Sequence, residues 1–527
     1  MANVKKGEKG EAPTGVRDVS VDALNNLVQG GDSQLIFELL IANARQLAAT
    51  GKGQQLIKMA PYMGDESVSG LAIRRGFIML GHIVDLDYKT AEALANELYL
   101  EEKNNPVFDF LEKITHYVFA ICRVARGDLT GSLDAINISL ESPLITSDLG
   151  DSDKINLIRI RCAVFMAQSA ESKIEAEYEK AKKIADGSAE NAYGVHLMAI
   201  KSMVLSEQGE YIKAYETAKS ALYASEANGY TGITGALDAK FVMARSLLAF
   251  SKLDQANELF EEIKVEALKI GLLPWYVLAE SSIIRNYASA AKIQIALERC
   301  QELAKFTNRL DTKFDLGWMV DMAEMDVRFK MKDQNRVNEI AKRIPEMFFV
   351  KQVVDAMVYT DGKHPSMEAV LKLPEKTARQ RIYKYLCLSE YPASPSNNPK
   401  NHLRQALQIA QESGYREIFV KQSGSILNLL ISLSSEEPSL FLEELTRDCL
   451  KRVELESAAF DSKNESLTSR ELQVLKQLST GKAIVQIGKE LHISQNTMKT
   501  HLRNIYRKLQ VDGRKSAVEK AKSNFII

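Results

Sequence analysis

The chain has 527 residues, with 68 Lys+Arg against 69 Asp+Glu, a formal net charge of −1, 45% hydrophobic and 26% charged residues. That composition excludes disorder over most of the length, and at roughly 100–200 residues per domain it calls for several domains or one long repeat array. Gly (28) and Pro (12) fall short of the usual roughly 7% and 5%, which favours a helical protein because both break helices, while the near-neutral sum gives no sign of a nucleic-acid partner.

Residues 1–18 are charged, contain glycine and lack apolar periodicity, and are expected to form a flexible tail. They hold no apolar segment of the signal-peptide kind, and no run of about 18 apolar residues follows, so the expectation is a cytoplasmic protein with no membrane partner. From about residue 20 to 455 the apolar residues recur at helical spacing, broken by short polar stretches. Within this region one pattern repeats: a turn or small residue, then Tyr, Leu or Ile two positions on, then Ala or Ser three further. It occurs as Gly127-Asp-Leu129-Thr-Gly-Ser132, Gly209-Glu-Tyr211-Ile-Lys-Ala214 and Ser251-Lys-Leu253-Asp-Gln-Ala256, and more weakly from Leu86 to Ala91 and from Ala291 to Ala296. The starts are separated by 41, 82, 42 and 40 residues, and the double gap places a degenerate copy near Gln168–Lys173. Ala120, Ser202 and Ala244 each precede one of the three best copies by seven residues.

Such a pattern describes helical hairpins: small residues let two helices approach, the turn reverses the chain, and neighbours stack because one hairpin cannot bury its apolar face alone. It resembles a tetratricopeptide repeat stretched to about 41 residues. Tyr211, Tyr230, Trp275, Tyr276 and Trp318 could line a groove, but at helical spacing they read as core. Cys122, Cys162, Cys300, Cys387 and Cys449 are too scattered for a metal set and read as small buried residues. Further along, Phe348–Lys376 carries turn signals at Asp361-Gly362 and Pro365, Ala393–Pro399 reads as a loop, Leu403–Leu430 as helix, and Ser457–Ser466 as a linker.

The last 65 residues change the charge reading. Residues 463–527 hold 13 Lys+Arg and five acids, a charge of +8, which leaves −9 on the rest. Thr468-Ser-Arg-Glu471 has the form of a capping box, and the helix it opens carries Leu472, Leu475 and Leu478 as far as a stop at Gly481. A short helix from about Ile484 to Leu491 and a turn at His492-Ile493 follow. Ser494 then caps a helix over Gln495–Leu509, and Asp512 can cap a last helix containing Ala517, Val518 and Ala521. In the third helix Met498, Leu502, Ile505 and Leu509 form an apolar stripe, while Lys499, Arg503 and Arg507 form a cationic one with Thr500 beside it. Two helices joined by a tight turn, the second with one apolar and one cationic face, is the helix-turn-helix arrangement, whose second helix fits the DNA major groove.

The segment LTSRELQVLKQLSTGKAIVQIGKELHISQNTMKTHLRNIYRKLQVDGRKSAVEKA resembles the LuxR-type helix-turn-helix of bacterial transcription regulators, over about 60 of the 527 residues. The resemblance places the groove-reading positions on Lys499, Thr500 and Arg503. Arg507 joins them by helical spacing as a phosphate contact, and Thr497 and Lys508 could reach phosphate or be structural. His501 is expected to pack or cap, and Glu471 to cap. One departure is Ala483-Ile-Val-Gln-Ile-Gly488, where the family has a Ser-Asn-Lys-Glu-Ile-Ala-like start: the capping hydroxyl is lost and a polar patch becomes apolar. Residues 406–430 further resemble the end of the sensor region in MalT-like regulators. Those proteins add an ATP-binding signalling domain, but the 527 residues contain no GxxxxGK[ST], so the ATP-dependent switch is not carried over.

The expected organisation is thus a tail over 1–18, an all-α tetratricopeptide-like superhelix over 19–456, a linker over 457–466, and a four-helix LuxR-type domain over 467–527. The resemblance implies a sequence-specific transcription regulator whose repeat domain senses a small ligand or a protein. Its expected partners are double-stranded DNA and RNA polymerase, bound as a homodimer on DNA, with no cofactor, metal or catalytic residue. The alternative is a scaffold that recruits a partner protein to DNA without sensing a ligand. No phosphate loop, nucleophile motif or metal cluster points to an enzyme.

Overall fold

A computed structural model describes most of residues 33–523. Outside the described residues lie 1–32 and 524–527, the stretches 41–46, 64–67, 103–107, 142–150, 168–170, 188–193, 229–235, 344–366, 392–396 and 463–468, and a few single or paired positions including His492. The expected tail, most of the two loop readings, Tyr230, and Leu467 and Thr468 therefore lie outside them. The described elements are helices, and they divide into two compact units: Met1–Asn286 with Gln294–Ile418, and Tyr287–Ile293 with Phe419–Ile527.

In chain order the helices run α1 Gly53–Met59, α2 Val68–Val84, α3 Tyr88–Glu102, α4 Phe108–Arg126, α5 Leu129–Glu141, α6 Asp151–Ala167, α7 Glu171–Gly187 and α8 Gly194–Gln208. They continue as α9 Tyr211–Ala227, α10 Ala236–Ala249, α11 Leu253–Lys269, α12 Leu273–Ser289, α13 Ile293–Thr307, α14 Lys313–Lys330 and α15 Gln334–Ala341. Next come α16 Met367–Leu371, α17 Ala378–Ser389, α18 Pro399–Ser413, α19 Glu417–Lys421, α20 Ser423–Glu436 and α21 Leu440–Ser462.

The five repeat copies are five hairpin turns of one geometry. The first residue of each copy adopts a left-handed backbone: Leu86 (φ 66°), Gly127 (90°), Gly209 (83°), Ser251 (64°) and Ala291 (60°). At each, the amide one position on bonds a carbonyl five residues back, as in Asp128 N to Arg123 O (2.9 Å), Glu210 N to Leu205 O (2.8 Å) and Lys252 N to Leu247 O (2.9 Å). This is the Schellman cap, which satisfies the orphan carbonyls of the first helix while reversing the chain. The small residue five positions on is wholly buried in every copy: Ala91, Ser132, Ala214, Ala256 and Ala296 are all 0% exposed. So are Ala120, Ser202 and Ala244 on the first helices, and the Ser132 hydroxyl donates to the Ala120 carbonyl at 2.8 Å. A methyl-sized side chain on both sides of the hairpin is what lets the helices approach this closely.

Gly51 (φ 76°) makes the same turn, with Lys52 N bonded to Leu47 O at 2.8 Å, although Lys-Gly-Gln-Gln-Leu after it does not fit the pattern. The copy expected near residue 168 falls between α6 and α7; its turn lies outside the described residues. Leu403–Leu430 is helical as expected, in three pieces: α18 ends at Gly414 in the left-handed region (φ 82°), and the chain restarts as α19 and then α20. At the expected linker, α21 continues to Ser462, through the first six residues of the 457–466 stretch. Polar composition alone did not stop a helix that buries Leu442, Leu445 and Cys449 one turn after another. All five cysteines are free and buried, Tyr211 and Trp275 are core, and Tyr276 and Trp318 are half-buried. No described helix is long and apolar enough to cross a membrane.

Candidate nucleic-acid interface

Four helices build the C-terminal module: α22 Ser469–Leu478, α23 Ile484–Glu490, α24 Gln495–Lys508 and α25 Arg514–Ser523. Each boundary has a local cause. Gly481 (φ 81°) turns the chain after α22, as a residue without Cβ can. Ser494 caps α24, its Oγ accepting from the Thr497 amide at 3.2 Å. Ala483, at the cap of α23, makes no side-chain bond, as its missing hydroxyl requires. The helix-turn-helix corner closes with Ile493 N donating to Gly488 O at 2.8 Å; a Cβ at position 488 would stand 3.2 Å from the Ile493 carbonyl. The last helix begins at Arg514, with the Gly513 carbonyl accepting the first bond from Ala517 N, one residue later than a cap at Asp512.

The apolar stripe of α24 is the core of this module. Met498, Leu502, Ile505 and Leu509 are 2%, 8%, 0% and 6% exposed and pack with Leu475, Leu478, Ile487, Ala517 and Ala521. On α22 it is Val474 that is fully buried, in place of the half-buried Leu472. Burying the apolar stripe fixes the rotation of α24, so the opposite face meets solvent. Lys499, Thr500, Arg503 and Arg507 are all exposed on it, and Lys499 to Arg507 spans about 12 Å of helix axis.

The other two candidates are placed differently. Lys508 Nζ donates to Glu471 Oε2 at 2.7 Å, with the two side chains 13% and 3% exposed. Its ammonium ties the end of the third helix to the first turn of α22. The sequence held a signal for this: at about 100° per residue, Lys508 lies about 100° around the helix from Arg507, on the flank of the apolar stripe. Thr497 is exposed, but its hydroxyl is 2.7 Å from that of Ser494, within the cap itself. Three further cations work inside the module. Arg470 bonds the Leu491 carbonyl, Arg514 bonds the Leu478 carbonyl through Nε (3.2 Å) and Nη2 (2.8 Å), and Lys482 pairs with Glu490 at 2.7 Å. The +8 charge is thus sorted: some cations staple the helices together, while the α24 stripe faces outward. Beside it, Ile484 and Val485 are 38% and 54% exposed, the apolar substitution foreseen at the start of α23.

Residues 465–521 match the bacterial regulatory proteins of the luxR family, so the C-terminal module is a LuxR-type domain. A nitrate/nitrite response regulator protein homolog of Haemophilus influenzae is 39% identical over 94 residues, 16% of this chain and 45% of that protein. The transcriptional regulatory protein LiaR of Bacillus subtilis is 44% identical over 64 residues, 12% of this chain and 30% of that protein. The HTH-type transcriptional regulator MalT of Vibrio cholerae is 23% identical over 312 residues, 53% of this chain and 31% of that protein. That last match extends well beyond the module into the helical array. The chain spans less than half the length of each of these relatives.

Proposed function

We propose that the chain is a DNA-binding transcription regulator whose helical array receives a small ligand or a protein and controls binding by the LuxR-type module. Lys499, Thr500 and Arg503 contact base edges, Arg507 contacts phosphate, and two modules on a two-fold site read half-sites about one helical turn apart. RNA polymerase is the proposed downstream partner. The observation that carries this reading is the exposed cationic stripe on α24, held outward by the burial of Met498, Leu502, Ile505 and Leu509. Lys508 drops out of the proposed contact set because Glu471 engages its ammonium, and Thr497 acts with Ser494 in the cap.

The test is a gel-shift assay on promoter fragments recovered by genome-wide mapping of bound DNA. Lys499→Ala with Arg503→Ala abolishes specific binding and leaves the circular dichroism of the chain unchanged; unchanged binding overturns the assignment. A second reading draws on the exposed Ile484 and Val485, which favour a protein contact at α23. There the module recruits a partner to DNA without a ligand. A stoichiometric protein partner lost on Ile484→Ser with Val485→Asn supports that reading, and its retention in the variant dismisses this face.

A further inference from the structure

Each hairpin turn satisfies two orphan carbonyls of its first helix and leaves a third. At Ser251 the amides of Ser251 and Lys252 bond the carbonyls of Leu248 (3.0 Å) and Leu247 (2.9 Å). At Ala291 the same pair is Ala291 N to Ala288 O (3.2 Å) and Lys292 N to Tyr287 O (2.8 Å). The cap has no amide for the next carbonyl, that of Ala249 in one hairpin and Ser289 in the other, the last residues of α10 and α12. Ala249 is 3% and Ser289 1% exposed, so each carbonyl calls for a donor from elsewhere in the chain.

Both donors come from the chain that follows these hairpins. Arg416 N donates to Ala249 O at 2.8 Å, and Arg452 donates Nη1 to Ser289 O across 163 positions. The first contact is reinforced by the Ser251 hydroxyl, which donates to Glu417 at 2.6 Å. A Cβ at Gly414 would stand 2.7 Å from the Phe250 ring, so the backbone there is seated against the hairpin. The second contact comes from the buried face of α21. Leu442, Leu445, Cys449 and Arg452 follow one another every three or four residues along it, and all four are buried. A cation thus continues an apolar stripe and is aimed at a main-chain carbonyl. Tyr287–Ile293 accordingly belongs to the same compact unit as Phe419–Ile527, although its neighbours in sequence belong to the other. Arg452 stands ten residues, about 15 Å of helix axis, before the end of α21 at Ser462, and the LuxR-type module starts with α22 at Ser469. The chain from 416 to 452 is therefore held at both ends, on two successive hairpins.

We propose that Arg452 is a coupling residue: it ties α21, the helix that leads to the LuxR-type module, to the turn between α12 and α13, and so links the state of the array to DNA affinity. The curvature of a stacked array is set by the small rotation of each hairpin against the next, so a change of curvature alters the spacing of the two anchors and shifts α21. The proposal rests on the reading of the array as the part that controls DNA binding.

Coupling is reciprocal, so DNA bound at the module must alter the turn as surely as the turn alters DNA binding, which a merely structural contact does not require. Amide hydrogen exchange of the full chain, with and without a saturating promoter fragment, reads this. The expected result is that the Ala291 and Lys292 amides and those of residues 440–455 change protection at least threefold on DNA binding, while the turn at Gly127 keeps its rate. Arg452→Met, which keeps an unbranched stem and removes the donor, abolishes that DNA-linked change and shifts promoter affinity at least threefold in a gel-shift assay. Arg452→Lys restores both in part. Arg161→Met, which removes an arginine paired with Glu177 elsewhere in the array, leaves both as in the parent. If Arg452→Met fails to fold, the exchange experiment on the parent decides the matter. No DNA-linked change at the 287–293 turn of the parent, unchanged promoter affinity in folded Arg452→Met, or an equal shift in Arg161→Met overturns the coupling and leaves the DNA-binding assignment standing. A parent chain that binds no promoter fragment overturns both.

Discussion

Lys508 and Arg507 are adjacent in sequence and have opposite duties. Arg507 faces solvent beside Arg503, while Lys508 turns about 100° away and meets Glu471, itself 3% exposed. Removing one partner of a buried pair leaves the other charge without compensation, which costs about 3–5 kcal/mol in typical cases. Lys508→Ala is therefore expected to lower module stability by about 3 kcal/mol in chemical denaturation, and Glu471→Gln with Lys508→Met recovers most of that loss. The Lys508→Ala protein that remains folded shows the same salt dependence of DNA binding as the parent. Arg507→Ala gives the converse: stability holds, and the slope of log affinity against log salt falls by about 0.9, one phosphate contact's worth of released counterions. Both cations are visible in the sequence, but only their angular position about the buried stripe separates them.

Helices and turns follow local rules, and their exceptions can be tested. The cap of α23 lacks a side-chain acceptor at Ala483, so Ala483→Ser is expected to stabilise the module by about 0.5–2 kcal/mol, measured by thermal unfolding. Hairpin turns need a left-handed residue, and the array fills that position with glycine at 127 and 209 but with Leu, Ser and Ala at 86, 251 and 291. A Cβ costs about 1–2 kcal/mol in that conformation, partly offset by the smaller entropy loss of a non-glycine residue. Ala291→Gly is accordingly expected to be neutral or to stabilise by up to about 1 kcal/mol. Gly209→Ala is expected to destabilise by more than about 1 kcal/mol, because its Cβ would also stand 2.9 Å from the Arg379 amide nitrogen. Equal effects of the two substitutions in urea unfolding contradict this account. The sequence pattern was legible because five turns repeat at one spacing. Gly51 escaped it because its neighbours keep the backbone geometry without the residue types.

At the scale of the whole chain, the −1 sum divides into a basic C-terminal segment and an acidic remainder, and the acidic part is threaded with ion pairs. Burial raises the Glu324 carboxyl, but the bonds and charges of Arg336 and Arg328 outweigh it and hold the group below its ordinary 4.5. A depressed folded-state pKa gives stability that is present above the unfolded value and lost as pH falls through the folded one. The unfolding midpoint is therefore expected to drop as pH decreases below about 4.5, and Glu324→Gln flattens that limb in a pH series of thermal scans.

What the sequence determined by itself is the set of properties written in local spacing. These are the all-helical class, the five hairpin turns from Leu86 to Ala291, the Ser494 cap, the Gly481 stop and the LuxR-type module. Each depends on residues within one or two helical turns of each other, so periodicity and cap chemistry suffice to find them. What only the tertiary structure decided depends on residues far apart in the chain. Glu471 claims Lys508 across 37 positions, Arg470 and Arg514 staple helices instead of facing outward, and Tyr415 joins a cluster with Arg245, Arg285 and Arg379. A charged side chain has the same letter whether it meets solvent or a carboxylate from another helix. The packing that buries one face of each helix chooses between those fates, and that choice separates the exposed stripe on α24 from the cations that hold the module together.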